Sequence, residues 1–280
     1  MEFFLPVFFG CLVGLSLGLT GGGGSIFAIP LLVYGLGLSM TEAVPISLVA
    51  VALAAAVGAW YSFRAGLLIW QPIAMFSAGG VIGAPAGILV ASYFDQYWLI
   101  TGFAILVFIV GLLMLHKSFT RPEEAIAIRA LAAVDDKQPF CKLTRDGKLK
   151  FTTPCALILM LTGTFTGLLS GLFGVGGGFL IVPVLMVVIE LGIHRAVAAS
   201  LVIISLIGLS GSSGALLKGE LMLPVLIPFV VGSILGMLLG RVVAAHIAGV
   251  VLQRIFATGI LVTGIGMLIH AVIILQGGLP

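Results

Sequence analysis

The 280 residues include 61% hydrophobic and only 8% charged side chains, with a mean hydropathy of +1.31. A soluble globular chain is about 25% charged, so a water-facing surface is excluded and most of the outer surface must face lipid. The net charge of +3 belongs to residues 117–150, with eight of the 13 Lys and Arg and five of the ten acids; a cytoplasmic loop beside anionic lipid accounts for it, and no nucleic-acid partner is required.

In chain order, MEFFLPVFFG lacks a basic leader region and reads as a retained first helix rather than a cleaved signal. Polar and glycine breaks divide the chain into apolar segments at about 3–20, 24–38, 42–63, 70–93 and 97–116, then 153–173, 177–191, 195–217, 222–245 and 250–275. The second segment of each set has about 15 residues and reaches only about 22 Å, short of a 30 Å hydrocarbon core. Each also contains a proline, Pro30 or Pro183, so these segments are expected to be re-entrant or broken. Cys11, Cys141 and Cys155 are widely spaced and suggest neither a disulfide framework nor a metal motif. Cys141, in the loop read as cytoplasmic, is expected as a free thiol.

Shifting the chain by 153 residues superposes its two ends without a gap. GLSLGLTGGGGSIFAIPLL (14–32) falls on GLLSGLFGVGGGFLIVPVL (167–185), and AVPISLV (43–49) on AVAASLV (196–202). Gly79, Gly83 and Gly87 meet Gly232, Gly236 and Gly240. Roughly thirty of about a hundred aligned positions are identical, against about ten from composition. The fold class expected is therefore an all-α polytopic membrane protein of two homologous repeats, 1–116 and 151–280, joined by the cytoplasmic loop 117–150. Five crossings per half would invert the second repeat and put twelve basic residues inside and one, Lys218, outside. Four crossings would leave ten against three. The five-plus-five inverted arrangement is preferred, with both termini outside.

Paired glycine clusters are the strongest local feature: Gly21, Gly22, Gly23 and Gly24 with Ser25, and Gly174, Gly176, Gly177 and Gly178. Such runs release backbone from the helix ladder, and freed N–H groups at the start of a half-helix attract anions. Short Gly/Pro-interrupted segments at matching places in two halves point to a transporter binding site; close helix packing is the competing reading. Ser47 and Ser200 form a second matched pair, suited either to donate to a substrate oxygen or to bond their own helix turn. GAPAG (83–87) and GMLLG (236–240) read as small-residue packing faces. GLSG (208–211) resembles the motif of rhomboid intramembrane proteases, which would make Ser210 a nucleophile with His246 or His270. Its repeat counterpart AAVG (55–58) has no serine. Neither glycine cluster precedes the Lys-Ser/Thr pair of a nucleotide loop. Glu42, Arg64, His194, Arg195, Lys218 and Glu220 sit at segment ends as interfacial anchors. Arg64 and Arg195 also suit attraction of an anion to a cytoplasmic mouth, and Glu42 a proton relay.

These features resemble the sulfite exporter TauE/SafE family. The repeat of that family opens with a Gly-rich stretch and a Pro, as in GLTGGGGSIFAIPLL and GLFGVGGGFLIVPVL. A small-residue stretch ending in Ser-Leu follows, as in VPISL and VAASL, then GLLIW (66–70) and GAPAG. Ile46 and Ala199 stand where the motif often has Thr, and Ile69 where an acid is common. The resemblance implies secondary transport of sulfite, thiosulfate or organosulfonates across a bacterial-type plasma membrane, often outward and coupled to protons, without a cofactor. An anion channel is the alternative, and a homo-oligomer is compatible with either.

Overall fold

The computed structural model describes residues 3–120, 153–189, 193–218, 221–244, 258–259 and 261–267. The described residues are overwhelmingly helical. Helix α1 is Phe4–Thr20. The second segment, α2, is broken as its length and proline suggested: a 3-10 turn over Gly23–Phe27, one α-turn over Ala28–Pro30 and a π-turn over Leu31–Gly35. Pro30 has no N–H to give to the helix ladder, and the wider turn begins at the next residue. Then come α3 (Met40–Arg64), α4 (Trp70–Ala91) and α5 (Gln96–Thr120). In the second half α6 is Thr153–Phe173, α7 Gly178–Ile189, α8 Ile193–Lys218 and α9 Leu223–Ala244. Unlike α2, α7 is one continuous helix of 12 residues, so Pro183 does not break it as expected. Residues 258–259 and 261–267 are helical; the rest of the expected last segment, Glu220, His246, His270 and nearly all of loop 117–150 lie outside the described residues. Among the described residues five helices are long and apolar enough to cross a membrane, so the chain is a multi-pass membrane protein.

Ser39 starts α3 with a capping box. Its hydroxyl accepts from the Glu42 N–H, and its own N–H donates to Glu42 Oε2 at 3.0 Å. This satisfies two otherwise orphaned donors and gives Glu42 a structural role at the helix start. Cys11 is free. Cys155 is disulfide-bonded, which the wide cysteine spacing did not suggest; Cys141 lies outside the described residues.

Glycines set the helix packing. A β-carbon at Gly79, Gly83 or Gly87 of α4 would overlap the carbonyl oxygen of Met160, Thr164 or Leu168 of α6. At Gly232, Gly236 or Gly240 of α9 it would overlap that of Val7, Cys11 or Leu15 of α1. The faces opposite are also glycine: Gly163, Gly167 and Gly171 lie against Phe76, Gly80 and Ala84, and Gly10, Gly14 and Gly18 against Phe229, Ser233 and Met237. Each pair has its counterpart 153 positions away with the halves exchanged. Both numbers rise together along these contacts, so α1 runs parallel to α9 and α4 parallel to α6.

Other contacts fix the remaining directions. Gly58 meets Met237, and Tyr61 lies under the guanidinium of Arg241, so α3 is parallel to α9. Gly80 meets Ile207, and Gly211 meets Ala84, so α8 is parallel to α4. Along α3 and α8 the numbers run oppositely: Leu48 is beside Gly211, Ala52 beside Gly208, and Leu201 beside Gly58. Thus α1, α3 and α9 point one way, and α4, α6 and α8 the other.

Candidate functional site

The two glycine clusters meet at the centre of this frame. Gly21 and Gly174 are the left-handed residues that end α1 and α6, at φ 72° and 65°; their N–H groups bond Leu17 O and Ser170 O at 2.8 Å. Beyond them the chain turns sharply, with Gly176 and Gly177 at φ 69° and 68°. L side chains rarely adopt this conformation. A β-carbon on Gly22 would sit 2.9 Å from Gly178 Cα, so the two turns touch backbone to backbone. One on Gly176 would lie 3.1 Å from Val51 and 3.4 Å from Ile204, two residues 153 apart and near the middle of α3 and α8. Ser25 Cβ lies 3.9 Å from the same point. Every expected cluster residue except Gly23, whose surroundings are not described, therefore falls on or beside one central contact.

The hydrogen bonding of these turns is incomplete. In the second cluster, residues 174–178 are all buried. After the cap bond at Gly174, the next recorded donors are Leu180 and Ile181, both to Gly177 O. Among the described residues, the N–H groups of Val175, Gly176 and Gly177 donate to nothing. In the first cluster the first bond of the 3-10 turn is Ser25 N–H to Gly22 O at 3.4 Å, and among the described residues no carbonyl accepts from the N–H groups of Gly22 and Gly24. Buried backbone donors are nearly always paired. Here unpaired donors occur in both turns, and the turns touch at Gly22 and Gly178.

Ser47 and Ser200 are fully buried beside the clusters, but their hydroxyls are engaged. Ser200 Oγ donates to Gly21 O at 2.6 Å and lies 2.8 Å from Val197 O. Ser47 Oγ donates to Gly174 O and lies 2.9 Å from Val44 O. Ser25 Oγ donates to Gly22 O at 2.9 Å. Each of Ser47 and Ser200 thus bonds its own helix turn and also fastens the glycine turn of the other half.

Other sequence candidates sit elsewhere. Ser210 Oγ donates to Val81 O on α4 at 2.7 Å, a bond between helices; its suggested partners His246 and His270 lie outside the described residues. The expected packing glycines of 83–87 and 236–240 do pack. Arg64 stacks on Trp60 at 5.2 Å and Arg241 on Tyr61 at 5.0 Å, an aromatic and basic rim at the end of α3. No group of three metal-ligating side chains occurs among the described residues.

The profile of the sulfite exporter TauE/SafE family matches residues 6–267. The chain belongs to that family. It is 33% identical over 201 residues to a "Probable membrane transporter protein" of Xylella fastidiosa strain Temecula1, covering 71% of this chain and 69% of the relative. The equivalent protein of strain 9a5c is 34% identical over the same shares. A "Probable membrane transporter protein" of Methanocaldococcus jannaschii is 46% identical over 52 residues, 19% of each chain. No solved structure matches. The chain is thus a membrane transporter of the TauE/SafE family.

Proposed function

We propose that this TauE/SafE chain is a secondary transporter exporting small sulfur-containing anions, sulfite, thiosulfate or organosulfonates, across the plasma membrane in exchange with or alongside protons. The observation that carries the reading is the presence of buried, unpaired N–H groups of Gly22, Gly24, Val175, Gly176 and Gly177 in two turns that touch each other. A divalent oxyanion stripped of water needs several donors. Backbone N–H groups supply them without a permanent buried charge, which favours release as well as binding. Ser47 and Ser200 belong to the same site, holding its turns and lying within reach of a bound oxyanion.

The architecture inferred with this site is a pair of inverted repeats, 1–116 and 151–280, around the cytoplasmic loop 117–150. Support comes from the exchange of contacts at an offset of 153 and from the opposed directions of α3 and α8. A two-fold axis along the membrane normal would leave those mates parallel. An axis in the membrane plane makes them antiparallel. Since α1 and α3 point the same way, α2 must carry the chain back across.

Flux in proteoliposomes tests the function, using sulfite, thiosulfate and ethanesulfonate with and without a pH gradient. Saturable flux of at least one, accelerated by the gradient, is expected. Gradient-independent conductance far above carrier rates would identify a channel, and absence of flux for all three would sink the assignment.

A further inference from the structure

Among the hydroxyls within the membrane helices, most follow one habit. Ser62, Ser205, Ser233, Thr20, Thr162, Thr164 and Thr166 each bond a carbonyl three or four residues back. This is how an apolar helix disposes of a side-chain donor. Ser16 and Ser170 do not: both are at least nine-tenths buried, and neither Oγ has a hydrogen-bond partner.

Their place in the fold is specific. Both lie in the last turns before a glycine cluster, Ser16 in α1 and Ser170 in α6. Ser16 Oγ fills the space where a side chain on Gly24 would be, and Ser170 Cβ lies 3.6 Å from the corresponding point at Gly177. Gly24 and Gly177 are counterparts 153 positions apart, and both carry unpaired N–H groups. Two unrelated kinds of donor, backbone and hydroxyl, are therefore left open beside the same two turns. Leaving a hydroxyl unpaired in an apolar interior is costly; a ligand that completes the bond removes the cost.

We propose that the hydroxyls of Ser16 and Ser170 are direct donors to the transported oxyanion, one from each half, completing the shell begun by the glycine N–H groups. The inference rests on the transport reading above and assigns to residues outside its glycine clusters a direct contact with substrate. It also divides the serines of the site: Ser25, Ser47 and Ser200 give their protons to carbonyls, whereas Ser16 and Ser170 keep theirs for the anion.

Ser62 supplies a control, being buried and bonded to Gly58 O within its own helix. Val51 of the same helix lies beside Gly176, so Ser62 is about 16 Å of helix from that turn. The experiment compares Ser16→Ala, Ser170→Ala and Ser62→Ala with wild type in proteoliposomes, reading KM for sulfite, thiosulfate and ethanesulfonate, alongside the unfolding midpoint in detergent. Ser16→Ala and Ser170→Ala are each expected to raise KM about tenfold for whichever anion the wild type carries, with the midpoint unchanged or higher. Ser62→Ala should leave KM unchanged. An unchanged KM in both variants overturns the proposal, as does a raised KM accompanied by a fallen midpoint, or an equal rise in Ser62→Ala. If Gly176→Val abolishes flux while the serine variants behave as wild type, this inference alone fails. If the wild type carries none of the three anions, the transport reading fails and this one with it.

Discussion

Ser200 Oγ donates to Gly21 O at 2.6 Å across 179 residues of chain, and Ser47 Oγ makes the counterpart bond to Gly174 O. Each half thus holds the turn that ends the first helix of the other. Neither turn is fixed by its own half alone, so a disturbance in one half reaches the glycine turn of the other directly.

Removing either clasp should therefore loosen a turn that the other half owns. Ser47→Ala and Ser200→Ala are each expected to cost about 1 kcal/mol, the scale of a neutral buried hydrogen bond, and to weaken anion binding by a similar amount. Ser200→Thr, which keeps the hydroxyl, should retain more function. Unfolding midpoints in detergent and KM in proteoliposomes check both effects. Full stability and wild-type KM in Ser47→Ala and Ser200→Ala would show that the bonds hold nothing.

At Gly176 two penalties coincide. Its φ of 69° disfavours any β-carbon, and a side chain would press on Val51 and Ile204. Gly176→Val is expected to abolish flux while the protein still inserts, because the substitution acts on one turn and not on the long helix interfaces. Gly22→Val should do the same from the other half, where the added carbon meets the Gly178 backbone. Membrane-fraction blotting with flux measurement separates lost transport from lost protein. Normal transport by both variants would make the glycines packing residues.

The broken second segment of the first half and the glycine turns could be read from sequence because glycine and proline carry positional backbone meaning. The glycines of α1 and α6 were less legible. Gly10, Gly14 and Gly18, with Gly163, Gly167 and Gly171, recur every four residues, and that spacing was a usable signal that they share a helix face. What they touch was invisible, since Phe229 and Phe76 are far away in sequence. Ser16 and Ser170 could not be picked out at all, because a serine in an apolar helix reads as bonded to its own backbone. Glu42 was open to a proton role until its carboxylate was seen closing the cap with Ser39.

Glycines in the helix interfaces should respond oppositely to those in open space. Gly14→Ala would drive a methyl group into the Ser233 carbonyl of α9, and Gly83→Ala one into Thr164 of α6. Both are expected to lose about 1–3 kcal/mol by overpacking. Gly214, in α8, has nothing within 4 Å of an added β-carbon. Gly214→Ala is expected to be neutral or to gain about 0.5–1 kcal/mol through reduced backbone entropy. Midpoints for the three variants decide the matter, and equal responses would mean that the close approaches do not govern stability.

Membrane orientation offers the last test, and it follows from the helix directions. Because α3 and α9 are parallel, Arg64 at the end of α3 and Arg241 near the end of α9 lie at the same face, beside Trp60 and Tyr61. In the inverted arrangement α8 begins at that face, so Arg195 joins them, and Lys218 at its other end faces the opposite side. Arg64, Arg195, Arg241 and Arg254 then share the cytoplasmic side with the eight basic residues of loop 117–150, twelve in all, as the bias of cytoplasmic loops toward Lys and Arg requires. Single cysteines at 64, 195 and 218, in a background lacking Cys11, Cys141 and Cys155, should report this directly. A membrane-impermeant thiol reagent applied to intact cells is expected to label 218 and to spare 64 and 195 until the cells are opened. If α2 and α7 merely dipped in and returned, the second half would keep the orientation of the first and α8 would run the same way as α3. Position 195 would then be labelled from outside while 64 stayed protected, and that pattern would refute the inverted repeats.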